Sequence, residues 1–253
     1  YSGSRLPDPD QAVERARIML EEGADILDIG AASSRPGAPE ISEQEEMDRL
    51  IPVVEAVRSR LPNAFVSVDT WRANVARESD RRAGIHMIND ISAGSLDPEM
   101  FNTVAALKLP YVMMHMRGTP ATMQESPAYN DVVDDLLQFF AERIHTLRKM
   151  GVNDLVVDPG FGFGKSLSHN FTLLNELEAF RMLELPLMVG ISRKGMVYRT
   201  LGVEVDQALN GTTALHMAAL LKGGHILRVH DVKAARETVI LYEQIVGGSS
   251  RSE

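Results

Sequence analysis

The chain has 253 residues, 44% of them hydrophobic, and carries a formal net charge of −9; that length suits a large α/β domain, and a general nucleic-acid surface would instead be basic. It contains no Cys, which excludes a disulfide scaffold, a thiol nucleophile and Cys-bound zinc and fits a reducing compartment. No apolar run reaches the ~18 residues of a membrane span, and the opening YSGSRLPDPD lacks the basic and apolar regions of a signal peptide.

Short apolar runs alternate with longer amphipathic ones. Pro9–Glu22 predicts a helix and ILDIG (26–30) a strand. Ser42–Arg60 predicts a second helix, opened by Ser42 as N-cap with Glu45 three residues on, the form of a capping box. FVSVD (65–69), the helix Arg72–Arg82, IHMIND (85–90) and YVMMHM (111–116) follow. Then come the helix Asp131–Met150, the strands LVVD (155–158) and LMVGIS (187–192), the helix Asp206–Lys222 and the strand ILRVH (226–230). Gly23, Gly84, Gly151 and Gly223 each stand just past a helical pattern, where a left-handed C′ residue belongs.

Strands that read as continuous apolar runs belong to a parallel sheet covered on both faces. No Ser/Gly linker interrupts the pattern, so residues 1–246 read as a single domain and 247–253, GGSSRSE, as a polar tail. The strand ends deliver Asp28, Asp69, Asn89, His115, Asp158, Ser192, Arg228 and His230. An open sheet concentrates its ligand at one switch point, whereas a closed barrel gathers every strand end around one mouth. The expectation is therefore a (β/α)8 TIM barrel. Because a barrel needs eight strands and seven are visible, its first strand is expected upstream of Tyr1.

The stretch LVVDPGFGFGKS (155–166) ends like a P-loop. Counting back from Gly164 puts Pro159 where the first glycine is required, and proline has neither the N–H nor the φ that a phosphate cradle needs. The nucleotide reading is set aside. What remains is Asp158 at a strand end, with Phe161, Phe163 and Lys165 close by in sequence.

Asp69, Asn89 and Asp158 have a bland reading as helix N-caps. Three of them at strand ends also suit a polar ring around a heterocycle, whose adjacent N–H and NH2 groups one carboxylate can accept together. Arg35, in SRPG (34–37), reads alone as a solvated loop residue. Arg228 lies inside the apolar run ILRVH, where an unpaired cation is costly, and alternation puts His230 on the same side. Lys194 follows Ser192 and Arg193 at the start of a helix, which favours anions. Arg35, Arg228 and His230 together could clamp a diphosphate, since guanidinium forks match phosphate oxygens. His115 has no ligand partner at helical spacing, which weakens a zinc reading. Met113, Met114 and Met116 read as core or pocket wall.

These motifs, DIGAASSRPGA (28–38), SVDT (67–70), INDI (88–91), MMHMRGTPATMQ (113–124), DPGFGFGKSLSHN (158–170), GISRKG (190–195) and RVHDV (228–232), resemble in order and spacing those of the dihydropteroate synthases. The resemblance implies a (β/α)8 barrel, a cytoplasmic homodimer. It would condense 7,8-dihydropterin-6-ylmethyl diphosphate with 4-aminobenzoate through a pterin carbocation, with Mg2+ assisting and sulfonamides competing. It implies that Asn89, Met114, Asp158 and Lys194 hold the pterin, with Asp69 near the methylene. Arg228 would stack on the ring and, with His230 and Arg35, face the diphosphate. Ser34, Arg35, Pro36, Phe163, Lys194 and Gly195 would surround the aminobenzoate. Asp69, Lys194, Arg228 and His230 would be the catalytic set.

The resemblance also implies a Mg2+/diphosphate Asn in a segment upstream of Tyr1, so no metal ligand is named. Gly195 stands where the family often has Ser, which would leave the aminobenzoate carboxylate to backbone N–H groups. Two other readings compete. One is a folate-dependent methyltransferase domain, which would have no need of SRK, RVHD or SRPG. The other is a homologue or fragment that binds pterin without catalysis.

Overall fold

The computed structural model describes residues 8–31, 41–119, 123 and 128–248. Its contacts divide the chain into two compact units, one built mainly from the residues up to Met114 with Glu142–Leu155, the other from His115–Gly118, Thr122–Ala141 and Val156 onward.

The first unit alternates helices and strands: α1 (Pro9–Glu21), β1 (Ile26–Ile29), α2 (Glu43–Arg60), β2 (Phe65–Asp69), α3 (Ala73–Ala83), β3 (Met87–Asp90), α4 (Met100–Leu107) and β4 (Tyr111–Met114). The second contains α6 (Leu167–Asn175), β6 (Met188–Val189), α7 (Gly195–Leu201), α8 (Leu209–Leu221), β7 (Ile226–Leu227) and α9 (Val232–Gly248). The helix α5 (Val132–Lys149) and the strand β5 (Leu155–Asp158) contribute residues to both. Strands β1 to β5 form one sheet in chain order, β6 and β7 a second. The paired strands run parallel, and a parallel bridge between Val157 and Leu187 follows the same order.

Sequence explains most of this. Val66, Val68, Ile88 and Met113 are fully buried, as side chains of a helix-covered parallel sheet should be. Met114 and Met116 are buried beside them in sequence, so the methionine run is interior. Gly23, Gly84, Gly151 and Gly223 all have positive φ, between 65° and 100°. Ser42 Oγ accepts the Glu45 N–H at 3.1 Å, the first half of the expected capping box. The Glu45 carboxylate pairs instead with Arg49, one turn on.

Two histidines fix strand register. His86 Nδ1 accepts the Val66 N–H at 3.0 Å while its own N–H donates to Val66 O. His225 repeats the pair with Leu187, its Nδ1 accepting at 3.1 Å. Both rings therefore act as acceptors at Nδ1; burial and the Arg58 cation lower the His86 pKa.

The last two strands are shorter than their apolar runs. β6 ends at Val189, because Gly190 leads into a loop where Arg193 takes a left-handed φ of 51°. β7 ends at Leu227, and only the Arg228 N–H continues its ladder, to Val189 O at 3.0 Å. The expectation that Arg228 sits inside a buried strand is thus corrected: its side chain, like that of His230, is exposed. At the C-terminus α9 runs to Gly248, two residues into the stretch read as a tail.

Candidate active site

In the first unit a row of residues crosses three neighbouring strand ends. Asp69 and Asn89 are Cα partners in the β2–β3 ladder, and Gly30 follows Ile29, the last paired residue of β1. A Cβ on Gly30 would lie 3.0 Å from the Asp69 Cβ and 3.1 Å from its carbonyl oxygen. Glycine is what allows β1 to end this close to Asp69. The Asn89 amide nitrogen donates to Asp28 Oδ2 at 3.0 Å. That orientation presents the amide oxygen as an acceptor.

None of the three ring candidates serves as a helix N-cap. The N-cap residue of α3 is Arg72, that of α4 is Glu99, and that of α6 is Ser166. At the start of α3 the Ala73 N–H goes to Asp97 Oδ2 at 2.8 Å. The turn that follows Asp69 is braced from α2: buried Glu46 accepts Thr70 Oγ1 at 2.7 Å and pairs with Arg72. Asp90 is structural. Its carboxylate accepts from Ser92 N, Ser92 Oγ, Gly94 N and Tyr111 Oη at 2.6–2.8 Å. Burial pushes its pKa up, and these bonds pull it back.

The second unit holds the rest. Asp158, at the end of β5, is 3% exposed. Its Oδ1 accepts the Gly160 N–H at 2.8 Å. Burial raises its pKa, while Lys194, the Gly160 N–H, Arg228 and Lys165 oppose that rise. Lys194 donates from Nζ to Phe161 O at 2.7 Å and lies 4.7 Å from the centre of the Phe163 ring, a cation–π distance. These groups converge on Gly190. A Cβ there would stand 3.5 Å from Lys194 Nζ, 3.9 Å from Arg228 Cβ and 4.0 Å from Asp158 Oδ2. The missing side chain leaves a gap bounded by a carboxylate and two cationic residues.

The loop after Asp158 divides its residues between core and site. Phe161 is fully buried, and Phe163 is the partly exposed ring. Lys165 is 3% exposed. Its Nζ meets His115 Nδ1 at 3.0 Å and donates to His115 O, Gly160 O and Phe163 O at 3.0–3.2 Å. A P-loop lysine points at phosphate; this one staples its own loop. Burial pushes its pKa well down, against the pull of Asp158.

Lys194 is the N-cap residue of α7, with Gly195 the first helical residue. Its position is fixed by Arg193, which forks onto both Asp231 oxygens at 2.7 and 2.9 Å and donates to Val205 O and Asp206 O. The Arg193 N–H donates to Thr212 Oγ1 at 3.1 Å. The next loop is tied on by Ser192, whose Oγ accepts the His230 N–H at 3.2 Å. Sequence reading placed SRK and RVHD in the site but did not see that Arg193 and Asp231 hold the two loops to each other. Opposite charges in two strand-end loops were the available signal. Ser34, Arg35 and Pro36 lie outside the described residues.

A family profile described as "Pterin binding enzyme" matches residues 1–230. The dihydropteroate synthase of Escherichia coli (strain K12) is 45% identical over 234 residues, which span 92% of this chain and 82% of that one. The chain belongs to the dihydropteroate synthases. A crystal structure of the Yersinia pestis dihydropteroate synthase with a sulfonamide drug complex superposes with a TM-score of 0.91 at 45% identity, over 95% of this chain and 87% of that one. The Xanthomonas albilineans dihydropteroate synthase with 4-aminobenzoic acid gives 0.88 at 37% identity, over 97% and 88%. The chain is accordingly a transferase of folate biosynthesis with an α/β, parallel-sheet fold.

Proposed function

We propose that the chain condenses 7,8-dihydropterin-6-ylmethyl diphosphate with 4-aminobenzoate, dividing the work among the residues above. Asn89, Asp158 and Lys194 hold the pterin, with Met114 against it. Asp158 is an acceptor for adjacent N–H and NH2 groups, a pairing that a carboxylate makes with both oxygens. The bond from the methylene carbon to the diphosphate oxygen breaks first, and its electron pair leaves with the diphosphate. Asp69 and Asp158 place fixed negative charge near the cation that remains. Arg228, His230 and Arg35 face the departing anion. This is stabilisation by charges already in place, with no side-chain nucleophile. The amine of 4-aminobenzoate then attacks the methylene and loses a proton. Ser34, Arg35, Pro36, Phe163, Lys194 and Gly195 surround that second substrate, where sulfonamides would compete.

The observation that carries this reading is the gap at Gly190, edged by Asp158, Lys194 and Arg228. A flat heterocycle with hydrogen-bond donors on one edge and a cation over its face fits that set. A folate-dependent methyltransferase would not need the Lys194 and Arg228 pair.

Magnesium belongs to the same proposal. Among the described residues no group of three His, Asp or Glu side chains converges as a metal cage, but Mg2+ in phosphate sites takes only one or two protein ligands and fills its shell with water and substrate oxygens. It would supply charge neutralisation to the diphosphate. We assign it no ligand in this chain.

The (β/α)8 closure of the sheet also belongs here, supported by strands that run parallel in chain order. So does a homodimer. Leu209, Leu221, Ile240, Leu241, Ile245 and Val246 of α8 and α9 are exposed, and apolar side chains grouped on neighbouring helices mark an association surface. No helix among the described residues is long and apolar enough to cross a membrane, and a cytoplasmic setting is proposed with the rest. The deciding assay is diphosphate release that depends on 4-aminobenzoate. Release without the amine, or none with both substrates and Mg2+ present, would overturn the assignment.

A further inference from the structure

We propose that Arg199 recognises the anionic group of the second substrate, and so makes the enzyme selective for aromatic amines that carry a carboxylate. The proposal rests on the placement of that substrate against Phe163, Lys194 and Gly195. Its starting observation is the first residue of α7. Gly195 has no side chain, and the Cβ it would carry lies 3.4 Å from Arg199 Nε, 3.6 Å from Cζ and 3.7 Å from Cδ. Residues 195 and 199 are one helical turn apart and share a face. The guanidinium is thus folded back over the glycine, on the side where the helix meets Lys194.

The other cations of this segment are engaged. Arg193 is held by Asp231, Val205 and Asp206. Lys194 is bonded to Phe161 O and stands over Phe163. Arg199 is exposed, and its guanidinium lies over Gly195 and 5.8 Å from the Tyr198 ring. No carboxylate among the described residues pairs with it. A planar fork without a partner, one turn from the ring-binding residues, matches a carboxylate at the far end of a para-substituted ring. A hydroxyl is not needed at residue 195 if the fork supplies the donors. The exposure of Arg199 sets the scale, because partly solvated ion pairs are weaker than buried ones.

The test compares two acceptors, 4-aminobenzoate and its neutral amide, 4-aminobenzamide, in the diphosphate-release assay. Arg199→Met keeps the length and apolar stem and removes the charge, and as a surface change it leaves the melting temperature close to wild type. The expected result is a rise of about three- to tenfold in KM for 4-aminobenzoate. KM for 4-aminobenzamide, KM for the pterin diphosphate and kcat stay near wild type, and Arg199→Lys falls between. An unchanged KM for 4-aminobenzoate, or an equal rise for both acceptors, would overturn the proposal. Absence of amine-dependent release in the wild type would instead strike the functional reading itself.

Discussion

Lys165 Nζ lies 3.0 Å from His115 Nδ1 and within 3.2 Å of three backbone carbonyls, those of His115, Gly160 and Phe163. The amine of a sequence that reads Gly-Lys-Ser is therefore engaged by the loop that carries it. Removing it strands buried acceptors, each of which is costly to leave unmade. Lys165→Met should lower unfolding free energy by about 2–4 kcal/mol, by the cost of leaving several buried acceptors unmade. Urea denaturation measures it. A variant of wild-type stability that had lost affinity for a nucleotide would bring back the P-loop reading.

Gly190 should be sensitive in function and tolerant in folding. A Cβ at this position makes contacts no closer than 3.5 Å, an ordinary van der Waals distance, so Gly190→Ala should fold normally. The methyl group would occupy the space between Lys194 and Asp158. We expect pterin-fragment affinity to fall at least about tenfold, or 1.4 kcal/mol, with Tm within a few degrees of wild type. Calorimetry that found unchanged affinity would move the pterin elsewhere.

Asp158→Asn exchanges one acceptor for a donor against ligand donors. The loss of a charge-assisted contact should weaken pterin binding by about 1.5–3 kcal/mol. Fragment titration on a variant with a normal circular-dichroism spectrum decides the matter, and undiminished binding would remove Asp158 from the site.

Gly30→Ala is expected to act through Asp69. The added Cβ would fall 3.0 Å from the Asp69 Cβ, an unusually tight contact that Asp69 relieves by moving a few tenths of an ångström. Such crowding costs about 1–3 kcal/mol. Turnover should fall more than stability does, because the displaced group is the carboxylate assigned to the developing cation. If kcat stays at wild type in the folded variant, the position of Asp69 is not critical to the chemistry.

The fold was legible wherever local chemistry and burial agreed. FVSVD and LVVD fill the same residues as β2 and β5, because a run buried on both faces leaves one answer. ILRVH misled, since apolar residues around Arg228 suggested burial that a two-residue strand does not provide. The motifs singled out Asp69, Asn89 and Asp158 because strand-end polar residues stand out against apolar runs, and Lys194 because it stands at a helix start. Lys165 was named for its place beside Asp158, but its role as a staple depends on carbonyls that carry no signature in sequence. Glu46, Arg193 and Asp231 are further cases, since partners 26 and 38 residues apart become visible only once loops are placed.

His216 offers a pH test independent of the active site. It is 1% exposed on α8, and neither ring nitrogen finds a hydrogen-bond partner among the described residues. Burial lowers its pKa from 6.5 to about 4, with Asp231 opposing. The native state therefore keeps the ring neutral while the unfolded chain takes up a proton below pH 6.5. Between those two values the unfolded state binds more protons, so stability must fall as the pH falls. At 1.36 kcal/mol per unit, this group alone should remove on the order of 2 kcal/mol between pH 6.5 and 5. Asp231, held below the usual carboxylate range by Arg193, titrates beneath this window and does not mask it. His216→Leu deletes two buried polar atoms of similar volume and should be at least as stable as wild type at pH 7. Its unfolding free energy should also decline less from pH 6.5 to 5. Parallel pH profiles for wild type and His216→Leu would mean that the histidine is hydrated or paired in solution and carries no such penalty.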